Sequence, residues 1–319
     1  MKHATTPTRN AARAARPTSL THAAMAVVAR RINPPAVGAD QPTPEVPARD
    51  LGILQRTLDV LGPVCEQYFR SEVRHLDRVP DGSALMVGNH DGGLLPVDAM
   101  CFAVGWYRHF PLDRPLRALM HEIPFHVTPA LTRWLHGIGV VSARAAHFEA
   151  LLDEGHSVLV YPGAAREAFR PFRQRRRVDL GGRSGFVVRA LRRDLPIVPV
   201  ASVGAHETFF VLARGSGIAH RLGVYRYFQA DVWPLAVGLP WGLMFLPMLP
   251  YIPLPSKITV EVQRPIRLRD ELSTHFHREI RSDDADDPEV VRAGFERVRE
   301  SVERGVNRLY DERRYPVIG

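Results

Sequence analysis

The chain has 319 residues, 45% of them hydrophobic, which is enough to bury one large core or two smaller ones. Its two cysteines are too few for a disulfide framework or a cysteine-based metal cluster, and they fit a reduced compartment. The formal net charge is +8, but the sequence has no zinc spacing, no aromatic–basic interleaving and no recognition-helix pattern, so it gives no support for a nucleic-acid partner.

The N-terminal segment differs in composition from the rest of the chain. Residues 1–50 are rich in Ala, Thr, Pro and Arg, with seven basic and three acidic residues. We predict that residues 1–49 form a disordered basic tail and that residues 50–314 form a single domain. Because this tail lacks the long apolar stretch of a secretory signal, we expect the protein to stay inside the cell.

From residue 51 onward, short apolar runs alternate with helical patterns, which predicts an α/β domain with a mixed, largely parallel sheet flanked by helices. Buried strands are predicted at residues 84–87, 116–120, 140–141, 158–161 and 196–201. Helices are predicted at residues 51–73 (interrupted near Pro63), 99–106, 131–135, 145–153, 185–193 and 289–310. The alternating pattern of residues 257–265 predicts an edge strand.

A histidine follows the first buried strand, in a glycine-containing turn. His90 comes after Gly88 and Asn89, and histidine titrates near neutral pH, as a general base requires. Such a base needs a carboxylate on its other ring nitrogen. We assign that role to Asp98, because Pro96 can turn the chain back, and we expect Asp91 to point elsewhere, as a backbone cap.

A second motif follows the strand at residues 158–161. Gly163 offers a turn whose backbone N–H groups can face an anion, and Arg166 can act as a forked donor to a phosphate. The alternative is a surface ion pair between Arg166 and Glu167. The sequence has neither a P-loop nor a Gly-x-Ser-x-Gly elbow. A base beside an anion-binding turn indicates acyl or phosphoryl transfer onto a hydroxyl.

The positive charge is concentrated between residues 164 and 193, where ten arginines accompany only Glu167 and Asp179. Acidic residues cluster instead near the C-terminus, at residues 283–287. This basic run is either a solvated surface without a partner or a patch for phosphorylated substrates or anionic lipid headgroups.

Residues 232–256 carry no charge, and their six prolines make a continuous membrane-spanning helix unfavourable. Two interpretations remain open. The segment either folds over the core, or it forms a loop or broken helix that dips into the headgroup layer, with Trp233 and Trp241 at the interface.

Four ordered blocks resemble the lysophospholipid (glycerolipid) acyltransferase superfamily, the enzymes related to 1-acylglycerol-3-phosphate acyltransferase. The resemblance is closest to the branch with monoacylglycerol and diacylglycerol acyltransferase-like proteins. The blocks are Gly88-Asn89-His90 with Asp98, Gly137-Ile138-Gly139-Val140-Val141 with Arg144, Tyr161-Pro162-Gly163-Ala164-Ala165-Arg166-Glu167, and Ile197-Val198-Pro199-Val200 with Gly204 and Glu207. The family's usual pattern has an aspartate five positions after the histidine. Leu95 occupies that position here, so the orienting role is carried over to Asp98.

The resemblance implies a catalytic pair, His90 and Asp98, that moves a fatty acyl group from acyl-CoA or acyl carrier protein to a hydroxyl of a lysophospholipid or acylglycerol. It implies neither a metal nor a cofactor beyond this co-substrate. The implied substrate-binding residues are Asn89, Gly139, Arg144, Pro162, Gly163, Arg166 and Glu167. The expected location is the cytoplasmic face of a membrane, peripheral or monotopic. Two alternatives remain. The acceptor is a sterol, an isoprenoid alcohol or an ornithine lipid, or the protein binds membranes without enzymatic activity.

Overall fold

The structure is a computed structural model that describes residues 45–224, 232–245 and 250–315. Most of the predicted tail, residues 1–44, lies outside the described residues. The last five residues of the predicted tail, 45–49, are described and contact the domain at Val46, Pro47 and Arg49. Val46 is buried in the core, and Arg49 donates hydrogen bonds to the Tyr107 hydroxyl and the Leu112 carbonyl. These contacts involve residues that lie before residue 50, the predicted start of the domain.

Strands and helices alternate along most of the described chain. The strands are β1 (Glu72–Arg74), β2 (Leu85–Gly88), β3 (Leu116–Met120), β4 (Val140–Ser142), β5 (Ser157–Val160), β6 (Ile197–Val203), β7 (Phe210–Ala213), β8 (Leu235–Gly238), β9 (Gly242–Met244) and β10 (Thr259–Val262). The α-helices are α1 (Leu51–Pro63), α2 (Val97–His109), α3 (Pro129–Gly137), α4 (Ala145–Asp153), α5 (Ala164–Ala168), α6 (Gly185–Arg193), α7 (Ser216–Leu222), α8 (Leu268–Phe276) and α9 (Pro288–Glu312). Single turns of 3₁₀ or π helix lie at Val64–Tyr68 (π), Leu76–Arg78, Ile123–His126, Phe172–Gln174, Ala205–Glu207 and Ser282–Asp286.

Seven strands form one mixed sheet in the order β1-β10-β6-β2-β5-β3-β4. The five strands from β6 to β4 are mutually parallel, and β10 pairs antiparallel with β6. The prediction of an α/β fold with a mixed, largely parallel sheet is confirmed.

The central strands are buried on both faces, which explains their uninterrupted apolar runs. In β2, Leu85 and Val87 pack into a core with α4, α6 and α9, whereas Met86 packs on the opposite face with residues of α2. This arrangement leaves the strand ends, rather than the faces of the sheet, available for a site.

The predicted edge strand at residues 257–265 is wrong in its position. β10 lies between β1 and β6, and all four of its residues are buried. The edge is formed instead by β1, which pairs parallel with β10 from Glu72 to Arg74. β1 is three residues long and mostly polar, so the sequence carried no signal for the strand that covers β10.

The uncharged segment contributes two strands to a small antiparallel sheet in the order β7-β8-β9. The β8–β9 hairpin exposes Leu239, Trp241, Leu243 and Phe245, each to about half of its surface or more. Residues 246–249 lie outside the described residues, and the described remainder of the segment contains no helix. No helix in the described residues has both the length and the apolar character needed to cross a membrane.

Candidate active site

Three neighbouring parallel strands, β6, β2 and β5, end at the same edge of the sheet. His90 follows β2, the turn into α5 follows β5, and His206 follows β6. Because carboxyl ends of parallel strands meet at one edge, residues far apart in sequence converge there.

The His90 ring faces the carboxylate of Asp98, at the start of α2. His90 Nδ1 lies 3.1 Å from Asp98 Oδ1 and 3.0 Å from Oδ2. The Asp98 side chain is fully buried and also accepts backbone N–H groups of Asp91 and Ala99, at 3.0 and 2.8 Å. An ionised carboxylate so placed favours the tautomer with the proton on Nδ1, leaving Nε2 as a free acceptor.

The surroundings of His90 favour its protonated form. Burial would lower the pKa of His90, but the charge and hydrogen bond of Asp98, with smaller contributions from Asp91 and Glu167, raise this pKa above its ordinary value. The Tyr161 ring covers one side of the imidazole, with the ring centres 5.1 Å apart. About 15% of the His90 side chain remains exposed, so a substrate can reach it.

A buried charge network supports the loop that carries His90. Arg170 Nη2 donates to Asp91 Oδ1 at 2.5 Å, and Arg170 Nη1 donates to Glu167 Oε1 at 3.0 Å. His206 Nε2 lies 3.0 Å from the same Asp91 oxygen. Glu167 Oε2 accepts the backbone N–H of His90 at 3.1 Å. The network therefore joins the loops that follow β2, β5 and β6.

One sequence-based expectation fails at this network. Asp91 is not a backbone cap but a buried partner of Arg170 and His206, which lower its pKa although burial would raise it. Glu167, for which a surface ion pair with Arg166 was the alternative, is buried and pairs with Arg170, and burial raises its pKa to about 8. Arg170 and His206 were not selected from the sequence. The available signal was the spacing of Arg170 three residues after Glu167, and the position of His206 just beyond β6.

Several predicted binding residues lie inside this framework. The Asn89 side chain is buried and fully bonded, since Nδ2 donates to Asp91 Oδ2 and the Ser202 carbonyl while Oδ1 accepts the Ser202 N–H. The Pro162 carbonyl accepts from Arg183 Nη1 at 2.7 Å. Gly163 packs so closely on Asp179 and Glu167 that any Cβ would overlap both residues.

Two predicted arginines lie nearer the surface on the same edge of the sheet. The Arg166 side chain is 42% exposed, with its Nε 3.8 Å from Asp179 Oδ2. Arg144 follows β4, is 40% exposed and pairs with Glu122, which follows β3. Both side chains are thus partly exposed, and each has a carboxylate beside it.

Gly139 lies at the opposite end of the parallel strands from His90, where their amino ends are. It precedes β4, whereas His90 follows β2, and the two strands run in the same direction. Gly139 has φ +93° and packs against the Leu116 carbonyl and Arg49. Its conformation and close packing explain the glycine structurally, and the position is not beside His90.

The basic run is largely paired with acidic side chains. Arg170 is buried beside Asp91. Two other arginines pair with acids from the C-terminal part of the chain, Arg192 with Asp286 and Arg176 with Asp311. On α6 and α4, Arg193 pairs with both Glu149 and Asp153. The fold therefore brings acids that are distant in sequence to several of these arginines, and the interpretation of the run as a patch for phosphorylated substrates or anionic headgroups stays a prediction.

Comparison with known proteins identifies the family. Residues 54–300 match the profile described as diacylglycerol acyltransferase. An uncharacterized protein of Mycobacterium tuberculosis strain H37Rv is 32% identical over 250 residues, and one of Mycobacterium leprae is 31% identical. Each match covers 78% of this chain. The chain belongs to the diacylglycerol acyltransferase family, within the glycerolipid acyltransferase superfamily.

The match spans 64% of the M. tuberculosis relative and 62% of the M. leprae relative, under two thirds of their lengths. Among solved structures, the chain is similar to the 1-acyl-sn-glycerophosphate (LPA) acyltransferase PlsC of Thermotoga maritima. That similarity has a TM-score of 0.45 and 17% identity, and it covers 83% of this chain and 89% of the other.

Proposed function

We propose that this protein transfers a fatty acyl group from a thioester, acyl-CoA or acyl carrier protein, to a hydroxyl of a glycerolipid acceptor. The observation that carries the proposal is the His90–Asp98 pair at the carboxyl edge of the sheet, with His90 Nδ1 held 3.0 Å from Asp98 Oδ2. Family membership supplies the reaction class.

His90 acts as the general base in this mechanism. Nε2 takes the proton of the acceptor hydroxyl as its oxygen attacks the thioester carbonyl, so an O–C bond forms and the C–S bond breaks. The proton then passes to the leaving thiolate, and the products are an ester and a free thiol. General base catalysis of this kind contributes roughly 10²–10⁴-fold to a rate.

Arg166 and Arg144 are the side chains best placed to hold a phosphate of the acceptor or of CoA. Both are partly exposed on the edge that carries His90. Glu167, Pro162 and Asn89 act indirectly, because their polar atoms are bound within the protein, to the His90 backbone, to Arg183 and to Asp91 respectively. Gly139 has no assigned part in the reaction.

The β8–β9 hairpin binds the membrane surface in this proposal. Its exposed apolar side chains include the indole ring of Trp241 and the ring of Phe245, and rings of this kind are favoured at the lipid–water interface. Peripheral binding at the cytoplasmic face would give His90 access to acceptors that are held in one leaflet.

The test is thiol release by purified protein incubated with palmitoyl-CoA and vesicles that carry lysophosphatidate, monoacylglycerol or diacylglycerol. We expect acceptor-dependent release that His90→Ala reduces by about 10²-fold or more. His220→Ala, a histidine on α7, is the matched control. Release that His90→Ala leaves unchanged would contradict the assignment of the base, and the acceptor that supports release names the substrate class.

A further inference from the structure

The loop between His90 and Asp98 presents two leucines to solvent. Gly92 and Gly93 are buried, whereas Leu94 is 44% exposed and Leu95 is 37% exposed. The loop also fills the long spacing of the proposed catalytic pair, in which Asp98 comes eight positions after His90. Its exposed tip therefore lies within a few residues of both members of that pair.

Tyr251 is hydrogen-bonded to this loop at two points. Its hydroxyl donates to the Gly92 carbonyl at 2.7 Å and accepts the Leu95 N–H at 3.0 Å. The Tyr251 ring stacks on Phe209, with the ring centres 4.1 Å apart. The Gly93 N–H is bound as well, to the Ala168 carbonyl at 3.0 Å. The leucines are thus exposed on a loop that several hydrogen bonds tie to the domain, although it contains two adjacent glycines.

Further exposed apolar residues lie next to Tyr251 in sequence and on the hairpin. Ile252, the residue after Tyr251, is 58% exposed and forms a β-bridge with Leu239, which is 50% exposed. Scattered exposed apolar residues are common, but several together indicate a binding surface. Here Tyr251 and Ile252 link the loop that carries His90 to the proposed membrane-binding hairpin.

We propose that Leu94 and Leu95 bind the acyl chain of the acceptor lipid, and that Tyr251 is the positioning residue that holds them beside His90. This inference rests on the proposed function. A long-chain acceptor must place its hydroxyl at His90 Nε2 while its hydrocarbon chain stays on an apolar surface. The tip of the loop offers that surface, and the hairpin continues it toward the bilayer.

The first test compares the double variant Leu94→Ser/Leu95→Ser with wild type, using monoolein in nonionic micelles and monobutyrin in solution as acceptors. We expect the KM for monoolein to rise about 10-fold, as the loss of two leucine contacts implies. The kcat and the KM for monobutyrin should stay within about twofold. Leu51→Ser, an equally exposed leucine at the start of α1, is the matched control.

The second test removes the Tyr251 hydroxyl and keeps its ring. Tyr251→Phe should also raise the KM for monoolein more than the KM for monobutyrin. The control is Tyr68→Phe, because the Tyr68 hydroxyl donates to the Pro253 carbonyl at 2.7 Å and so ties the same segment to a different part of the fold. A general loss of structure would instead change both acceptors alike and lower the melting temperature.

Binding of radiolabelled hexadecylglycerol in the absence of a thioester separates this inference from the proposed function. If wild type releases no thiol with any acceptor, the proposed function fails, and the inference is decided by binding alone. Weaker binding by the leucine double variant, at least about fivefold, supports it. Equal binding by wild type and the double variant overturns it, as do equal changes in the KM for long and short acceptors.

Discussion

At the scale of single residues, the orientation of the His90 ring depends on the hydrogen bonds that fix the Asp98 carboxylate. Its two carboxylate oxygens accept two backbone N–H groups as well as the imidazole, and its side chain is fully buried. A carboxylate so constrained can fix the ring in one tautomer without rotating away. The resulting pKa of His90, raised by Asp98 against the effect of burial, has a direct consequence for the pH profile.

The first prediction concerns Asp98→Asn. His90 must be neutral to act as a base, so a raised pKa places the acid limb of the kcat/KM profile above about pH 6.5. Loss of the carboxylate leaves burial as the main influence, so the acid limb should move to lower pH while the plateau falls about 10²-fold or more. Thiol release measured from pH 5 to 9 checks both effects. An unshifted limb would show that another group controls the profile.

The second prediction concerns Gly163, whose missing side chain lets Asp179 and Glu167 approach. Gly163→Ala should lower the free energy of unfolding by about 1–3 kcal/mol, because the added methyl group overlaps both residues. It should also reduce thiol release, since Glu167 binds the His90 backbone. Gly217→Ala on α7, where a Cβ meets nothing within 4 Å, should be neutral or slightly stabilising. Thermal unfolding of both variants provides the measurement.

At the scale of secondary-structure elements, the uncharged segment shows why composition alone left two interpretations. Its prolines excluded a continuous helix, but they did not exclude a short hairpin. β8 and β9 pair from Ala236–Met244 to Gly238–Gly242 and bury Ala236 and Met244 against Phe209 and Val232. The other face of the hairpin stays exposed. The segment therefore both packs on the domain and presents apolar side chains.

The third prediction tests that exposed face. Trp241→Ser/Phe245→Ser should weaken binding to vesicles with anionic lipid about 10-fold or more, because two large apolar rings no longer enter the interface. The circular dichroism spectrum should be unchanged, since both rings are more than half exposed. Tyr315→Ser removes an aromatic ring that is 49% exposed elsewhere and is the control. Equal sedimentation of all three proteins with vesicles would exclude the hairpin as the binding surface.

At the scale of the whole molecule, the charge network determines how the loops after β2, β5 and β6 sit together. Arg170 is its central cation, is 1% exposed and contacts both Asp91 and Glu167. A buried charge is tolerated only with partners, so removal of one member leaves the others uncompensated.

The fourth prediction follows from that dependence. Arg170→Met should lower the free energy of unfolding by about 3–5 kcal/mol, as for other broken buried ion pairs. Arg192→Met removes the same kind of side chain from the exposed pair with Asp286 and should leave stability almost unchanged. Urea unfolding at pH 7 compares the two. Similar, small effects would mean that the network contributes little to stability.

The sequence predicted those parts of the fold that depend on local pattern. The strands at Leu85–Gly88 and Ser157–Val160 are apolar runs bounded by turn residues, and the stripe of α9 is visible from Val291 to Leu309. The position of β10 inside the sheet could not be predicted, because its neighbour β1 is only three residues long and has no distinctive pattern. The error over β10 follows directly from that limit.

The sequence by itself determined the family, the alternation of strands and helices, and the choice of His90 and Asp98. These depend on residue types and short spacings, which a linear pattern contains. Only the tertiary structure decided the partners of Asp91, the pairing of the basic run and the placement of Gly139 away from His90. Asp91 pairs with Arg170 and His206, which lie 79 and 115 positions further along the chain. No local pattern specifies such contacts, because they arise from which strand ends meet at one edge of the sheet.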